Sequence, residues 1–149
     1  MADRITELYI RLERRMKALH ESNKLPDGFF NTYACVCRAN AKCIQEQNVY
    51  HKFMTGIRPE ELGSAKELPA EMVKILERSF PLFAETGIAG GDLANLVVSE
   101  YNACCQYGKA LSNQMVQLYR QTAENDSRMA EILKEFEDTM LEINKQGDK

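Results

Sequence analysis

Along most of the chain, apolar residues recur every three or four positions, the period of one helical face, and no segment shows the sustained alternation of a half-buried strand. From Asp3 to Ser22 the stripe is Ile5, Leu8, Leu12, Met16 and Leu19. The run Asn23-Lys24-Leu25-Pro26-Asp27-Gly28 ends it, because proline disfavours helix in the residue before it and Asp-Gly favours a turn. A second helix is predicted over Phe29–Met54, with Phe30, Tyr33, Cys37, Ala41, Ile44 and Asn48 along its stripe. Thr55 to Leu68 is polar and rich in breakers, so it reads as a loop with room for one helical turn and as the segment best suited to move. Pro69 suits the first position of a third helix, where its missing N–H has no intrahelical partner to lose. Met72, Val73, Leu76, Phe80 and Phe83 supply that helix with an apolar face, and Pro81 kinks or restarts it.

Gly87-Ile88-Ala89-Gly90-Gly91 closes the third helix, and from Asp92 to Lys145 only Gly108 interrupts the helical pattern. That is roughly 54 residues, about 80 Å if continuous, longer than a compact domain of this size needs. Either the helix breaks at Asn125-Asp126-Ser127, where capping residue types cluster, or its end projects as a coiled-coil arm; the capping cluster favours a break or bend. The expected fold is all-α: an antiparallel bundle of four to five helices with a long C-terminal helix. It is read as a single helical domain over 1–149, with 1–124 as the bundle and 125–149 as an extension or C-terminal helix.

Charge adds a packing preference. Residues 1–24 carry six Arg or Lys against four acids, whereas residues 126–149 carry seven acids against four bases. Met129, Ile132, Leu133, Phe136, Met140 and Ile143 also give the C-terminal segment an apolar stripe. The two ends of the chain therefore have both the hydrophobic faces and the complementary rims to lie together, within one chain or between chains.

Composition places the chain among ordinary folded proteins, at 44% hydrophobic and 28% charged residues. A net charge of −3 supplies no global attraction to phosphate. The first residues lack the apolar core of a signal peptide and no later run is long enough to span a bilayer, so a cytosol-like, cytoplasmic location is expected. There the odd count of five cysteines is expected to remain as thiols.

The densest candidate chemistry is YACVCRANAKCIQEQNVYHKF, Tyr33 to Phe53. At about 100° per residue, Cys35, Cys37, Cys43 and His51 sit near 0°, 200°, 80° and 160°, so they do not share a face. A zinc site needs tetrahedral convergence, usually from a Cys-x-x-Cys knuckle, which this spacing does not supply. Cys37 falls on the apolar stripe while Cys35 and Cys43 fall off it, and packing is the expected role, buried thiols behaving as small hydrophobes. Cys104 and Cys105 point about 100° apart on a helix, with Cys104 on the seam of Val97, Leu111 and Leu118. A Cys–His nucleophile pair would require His20 or His51 to arrive from elsewhere in the fold. The di-iron signature is absent, since the residues three before the histidines are Lys17 and Asn48. The Gly87–Gly91 turn follows a helix rather than a strand and precedes anionic Asp92, so a helix stop followed by an N-cap explains it better than a phosphate cradle.

No catalytic residues, metal or cofactor are expected. The elimination leaves a non-enzymatic helical interaction or assembly subunit, an adaptor, scaffold or chaperone-like protein. Its partner-binding residues are expected at Met129, Ile132, Leu133, Phe136, Met140 and Ile143, engaging a protein partner or a second copy. The alternative is a nucleic-acid-associated or regulatory protein whose contacts to phosphate or an acidic partner are Arg4, Arg11 and Arg15, one flank of the first helix.

Overall fold

A computed structural model of the chain describes residues 2–56 and 58–147. Asp148 and Lys149, which enter the C-terminal charge count, and Ile57 of the predicted loop fall outside them. The described chain is all-helical: α1 (Ala2–Glu21), α2 (Asp27–Gly56), α3 (Ala70–Ser79), α4 (Gly90–Ala123) and α5 (Ser127–Gly147), joined by short turns and three 3-10 segments. The chain divides into two compact units, Met1–Cys37 with Ser112–Lys149, and Arg38–Leu111. Helices pack on one another within each unit, as in a helical bundle.

In the first unit, the face of α1 read from the sequence is its buried face: Leu8, Leu12 and Met16 are fully covered and Leu19 nearly so. Met129, Ile132, Leu133 and Phe136 of α5 complete the core with Tyr33, Met115 and Tyr119. α1 ends where Asn23 adopts a left-handed conformation (φ 57°), so that the Lys24 and Asn23 amides donate to the carbonyls of Leu19 (2.9 Å) and His20 (3.0 Å). The long C-terminal pattern breaks at 124–126, as the capping cluster indicates, and α5 lies along α1 rather than projecting as an arm. Asp126 causes the restart: its carboxylate accepts the Met129 amide at 2.9 Å, the N-cap geometry that satisfies one orphan donor of the new helix.

The second unit builds its core from Tyr50 and Phe53 of α2, Met72 and Leu76 of α3, and Leu93 and Val97 of α4, with Ala65, Leu68 and Phe83 from the connecting segments. Five sequence expectations change here. The α2 stripe does not continue through Ala41, Ile44 and Asn48, all exposed; Cys43, Tyr50 and Phe53 are buried instead. Apolar identity alone does not separate these two registers, since Ala41 and Ile44 are as apolar as the residues that won. Pro69 is the cap before α3, not its first helical residue, and Phe80, extended at φ −142° before Pro81, ends that helix and is exposed. Helix α4 starts at Gly90, where φ is +57°, so Asp92 lies in its first turn rather than at its cap. Residues 58–68 contain two 3-10 turns rather than one helical turn. Ala65 and Leu68 are buried, the Gly63 amide donates to Glu67 Oε2 at 2.8 Å, and the Leu62 carbonyl accepts the Gly90 amide at 3.1 Å.

Candidate functional site

The C-terminal stripe divides in two. Met129, Ile132, Leu133 and Phe136 are between 0% and 6% exposed, covered by their own unit. The Phe136 ring meets Tyr9 of α1 edge-on, with centroids 4.8 Å apart. Side chains so covered offer a partner little surface, and burial of roughly 1.5–3 kcal/mol each makes them core. The far end differs: Ile143 is half-buried, Met140 is 37% exposed, and Leu141, off the stripe and not singled out from sequence, is 58% exposed. Tyr9, Val116, Phe136, Met140 and Leu141 line a groove of about 440 Å³, with Arg120 and Glu137 on its rim paired at 3.0 Å.

The basic flank of α1 is engaged by α5. Arg4 Nη2 and Arg11 Nη1 donate to the same oxygen of Glu135, at 2.9 and 3.0 Å. Arg15 donates from Nε and Nη2 to the two carboxylate oxygens of Asp126, at 2.8 and 2.6 Å, the planar fork matched to a carboxylate. The hydrogen bond from Arg15, with that from the Met129 amide, holds the Asp126 carboxyl below its usual range. The complementary rims read from the charge distribution thus meet within one chain, and each of the three arginines pairs with a carboxylate of the α5 segment, Arg4 and Arg11 while still exposed to solvent.

The thiols are dispersed as the helical wheel indicates, with one exception. Cys35 is exposed and Cys37 is partly buried beside Tyr33, its thiol pushed up by burial. Cys43, expected off the buried face, is 3% exposed, and its Sγ lies 3.7 Å from that of Cys104 across α2 and α4. Burial, aided by the contact with Cys43, pushes Cys104 up to about 12, so it rests as a neutral thiol. His51 reaches the α4 helix but meets a phenol rather than a thiol: its Nε2 lies 2.8 Å from the Tyr101 hydroxyl. Among the described residues no three His, Cys, Asp or Glu side chains converge as a metal site.

Two features had no sequence signal beyond residue type. Tyr33 and Tyr119 join hydroxyls at 2.9 Å inside the first core, and burial raises both above the usual phenol range. Gly108 faces Gln47 and Cys43, where an added Cβ would lie 2.8 Å from Gln47 Nε2 and 3.3 Å from Cys43 Sγ. The glycine is what lets a buried cysteine approach the α4 backbone, with Cys43 Sγ donating to the Cys104 carbonyl at 3.2 Å. No helix among the described residues is long and apolar enough to cross a membrane. No protein-family model, no curated protein and no solved structure matches this chain.

Proposed function

We propose that the chain is a non-enzymatic helical interaction or assembly subunit whose contact surface is the groove of Tyr9, Val116, Met140 and Leu141. One observation carries the reading: the apolar stripe of α5 is sealed by its own unit as far as Phe136 and then continues more exposed at Met140, which lines that groove together with off-stripe Leu141. An apolar groove with a charged rim suits the apolar face of another helix, where a few large side chains supply most of the affinity and the rim fixes orientation. The alternative, phosphate binding by Arg4, Arg11 and Arg15, would have to displace Glu135 and Asp126 from all three guanidiniums.

Sedimentation of the parent against Leu141→Glu, with helicity and melting measured alongside, tests the reading. Self-association by the parent that weakens tenfold or more in Leu141→Glu, at unchanged melting temperature, is the expected result for a second copy in the groove. For a different protein the same substitution must abolish capture of a partner the parent retains. A monomeric parent whose partners are retained equally by Leu141→Glu would overturn the assignment of the groove.

A further inference from the structure

In the second unit, α2 and α4 run antiparallel: Cys43 meets Cys104 and Tyr50 meets Tyr101. The two cysteines face each other reciprocally. Cys43 Sγ points to the Cys104 carbonyl at 3.2 Å, Cys104 Sγ points to the Cys43 carbonyl at 3.8 Å, and the sulfurs are in van der Waals contact at 3.7 Å. A disulfide requires about 2.05 Å between sulfurs, so roughly 1.7 Å of approach must be shared by two side chains already aimed across the same gap. Gly108 presents no Cβ beside Cys43, whose sulfur also accepts from Gln47 Nε2 at 3.5 Å. Access is asymmetric. Cys43 is buried, but Cys104 lines a cavity of about 190 Å³ with Glu46, Tyr50, Arg78 and Tyr107, wide enough for an oxidant of two heavy atoms.

We propose that Cys43 and Cys104 are a disulfide-forming pair, a modification site at which a small peroxide oxidises Cys104 and Cys43 resolves the product. In the first step Cys104, a neutral thiol at rest and therefore slow to react, gives up its proton to water, and its thiolate attacks one oxygen of hydrogen peroxide: an S–O bond forms, the O–O bond breaks, and the leaving hydroxide takes up that proton as water. In the second, the Cys43 sulfur attacks the sulfenic sulfur. The S–S bond forms, the S–O bond breaks, and hydroxide leaves with the Cys43 proton as a second water. Two thiols and one peroxide give one disulfide and two waters, with two electrons passing from the sulfurs to the peroxide. Both cysteines belong to the second unit, so the bond would tie α2 to α4 there, and the proposal does not rest on the groove reading.

The experiment uses the full chain, treated with hydrogen peroxide under native conditions. Unreacted thiols are blocked with an alkylating agent before unfolding, and the products are mapped as peptides without reduction. The expected result is a Cys43–Cys104 linked peptide pair two mass units lighter than its two free-thiol peptides together and separated by dithiothreitol, while Cys37 and Cys105 carry the alkyl group. Cys104→Ser should lose the link, and Cys43→Ser should accumulate sulfenic acid at Cys104, trapped by dimedone. A link between other cysteines, over-oxidation at Cys104 with Cys43 intact, or oxidation confined to exposed Cys35 would overturn the proposal. The mapping is performed on the parent chain, so it does not depend on either variant folding.

Discussion

Replacing Asp126 by alanine should destabilise the first unit more than any other exposed or half-exposed substitution, because this carboxylate does two jobs. It caps α5 through the Met129 amide and holds the Arg15 fork through both oxygens. Loss of an N-cap costs about 1 kcal/mol. Loss of hydrogen bonds to a charged group costs about 1.5–3 kcal/mol, and the Arg15 side chain, 25% exposed, keeps enough water contact to hold the sum near the lower end, about 3 kcal/mol. At roughly 2–4 °C per kcal/mol for a chain of this size, the melting temperature read by circular dichroism should fall by about 6–12 °C. Asp126→Asn should lose about half as much, because asparagine caps as well as aspartate while giving up the charge. A cycle with Arg15→Ala should return a coupling of about 1–2 kcal/mol. The carboxyl is held below its unfolded value, so its contribution is complete above that value, about pH 3.9, and is lost as pH falls through the lower folded one. The gap between parent and Asp126→Asn should therefore close in acid. An Asp126→Ala variant that melts with the parent, or an Asp126→Asn variant as damaged as the alanine, would refute the double role.

Gly108→Ala should be close to neutral in the parent, because about 1 kcal/mol of helix propensity is offset by the contact with buried Cys43, while Gln47 Nε2, nearer at 2.8 Å, is the end of a flexible side chain that can turn aside; in a Cys43→Ala background the same change should stabilise by about 1 kcal/mol. Equal effects in the two backgrounds, by urea unfolding, would mean that Cys43 does not set the approach of α2 and α4. Tyr33→Phe should cost about 1–2 kcal/mol by stranding the Tyr119 hydroxyl, and the Tyr33→Phe/Tyr119→Phe double variant should cost less than the sum of the singles. Additive losses would show that the hydroxyls act separately.

What was legible in the sequence follows from how much each signal repeats. The α1 stripe and the first half of the α5 stripe are amphipathic over several turns with charged opposite faces, so one register is far better than its neighbours. The break at 124–126 was legible because capping residues are local chemistry, and the pairing of α1 with α5 because charge balance sums over many residues. The middle of α2 was not legible. Ala41, Ile44, Cys43 and Tyr50 make both registers apolar, and the choice is made by the partner helix, where Gly108 admits Cys43. For the same reason the Cys43–Cys104 contact could not be found from the spacing of cysteines on one helix. It depends on which residues of α4 stand opposite, a property of pairing and not of either segment. Leu141 was missed because it lies off the stripe; an apolar residue on the polar side of an amphipathic helix was the available signal.

The division of α5 into a sealed core and an open end is tested most directly by Ile132→Asp, which is 4% exposed and does not line the groove. Sedimentation mass and melting are measured together, at a temperature where the variant remains helical. A charge placed in the core of the first unit should lower its stability by several kcal/mol at an unchanged mass. A variant that melts with the parent and sediments at a smaller mass would contradict this, because Ile132 would then lie in an interface between chains and the return of α5 onto its own α1 would be wrong.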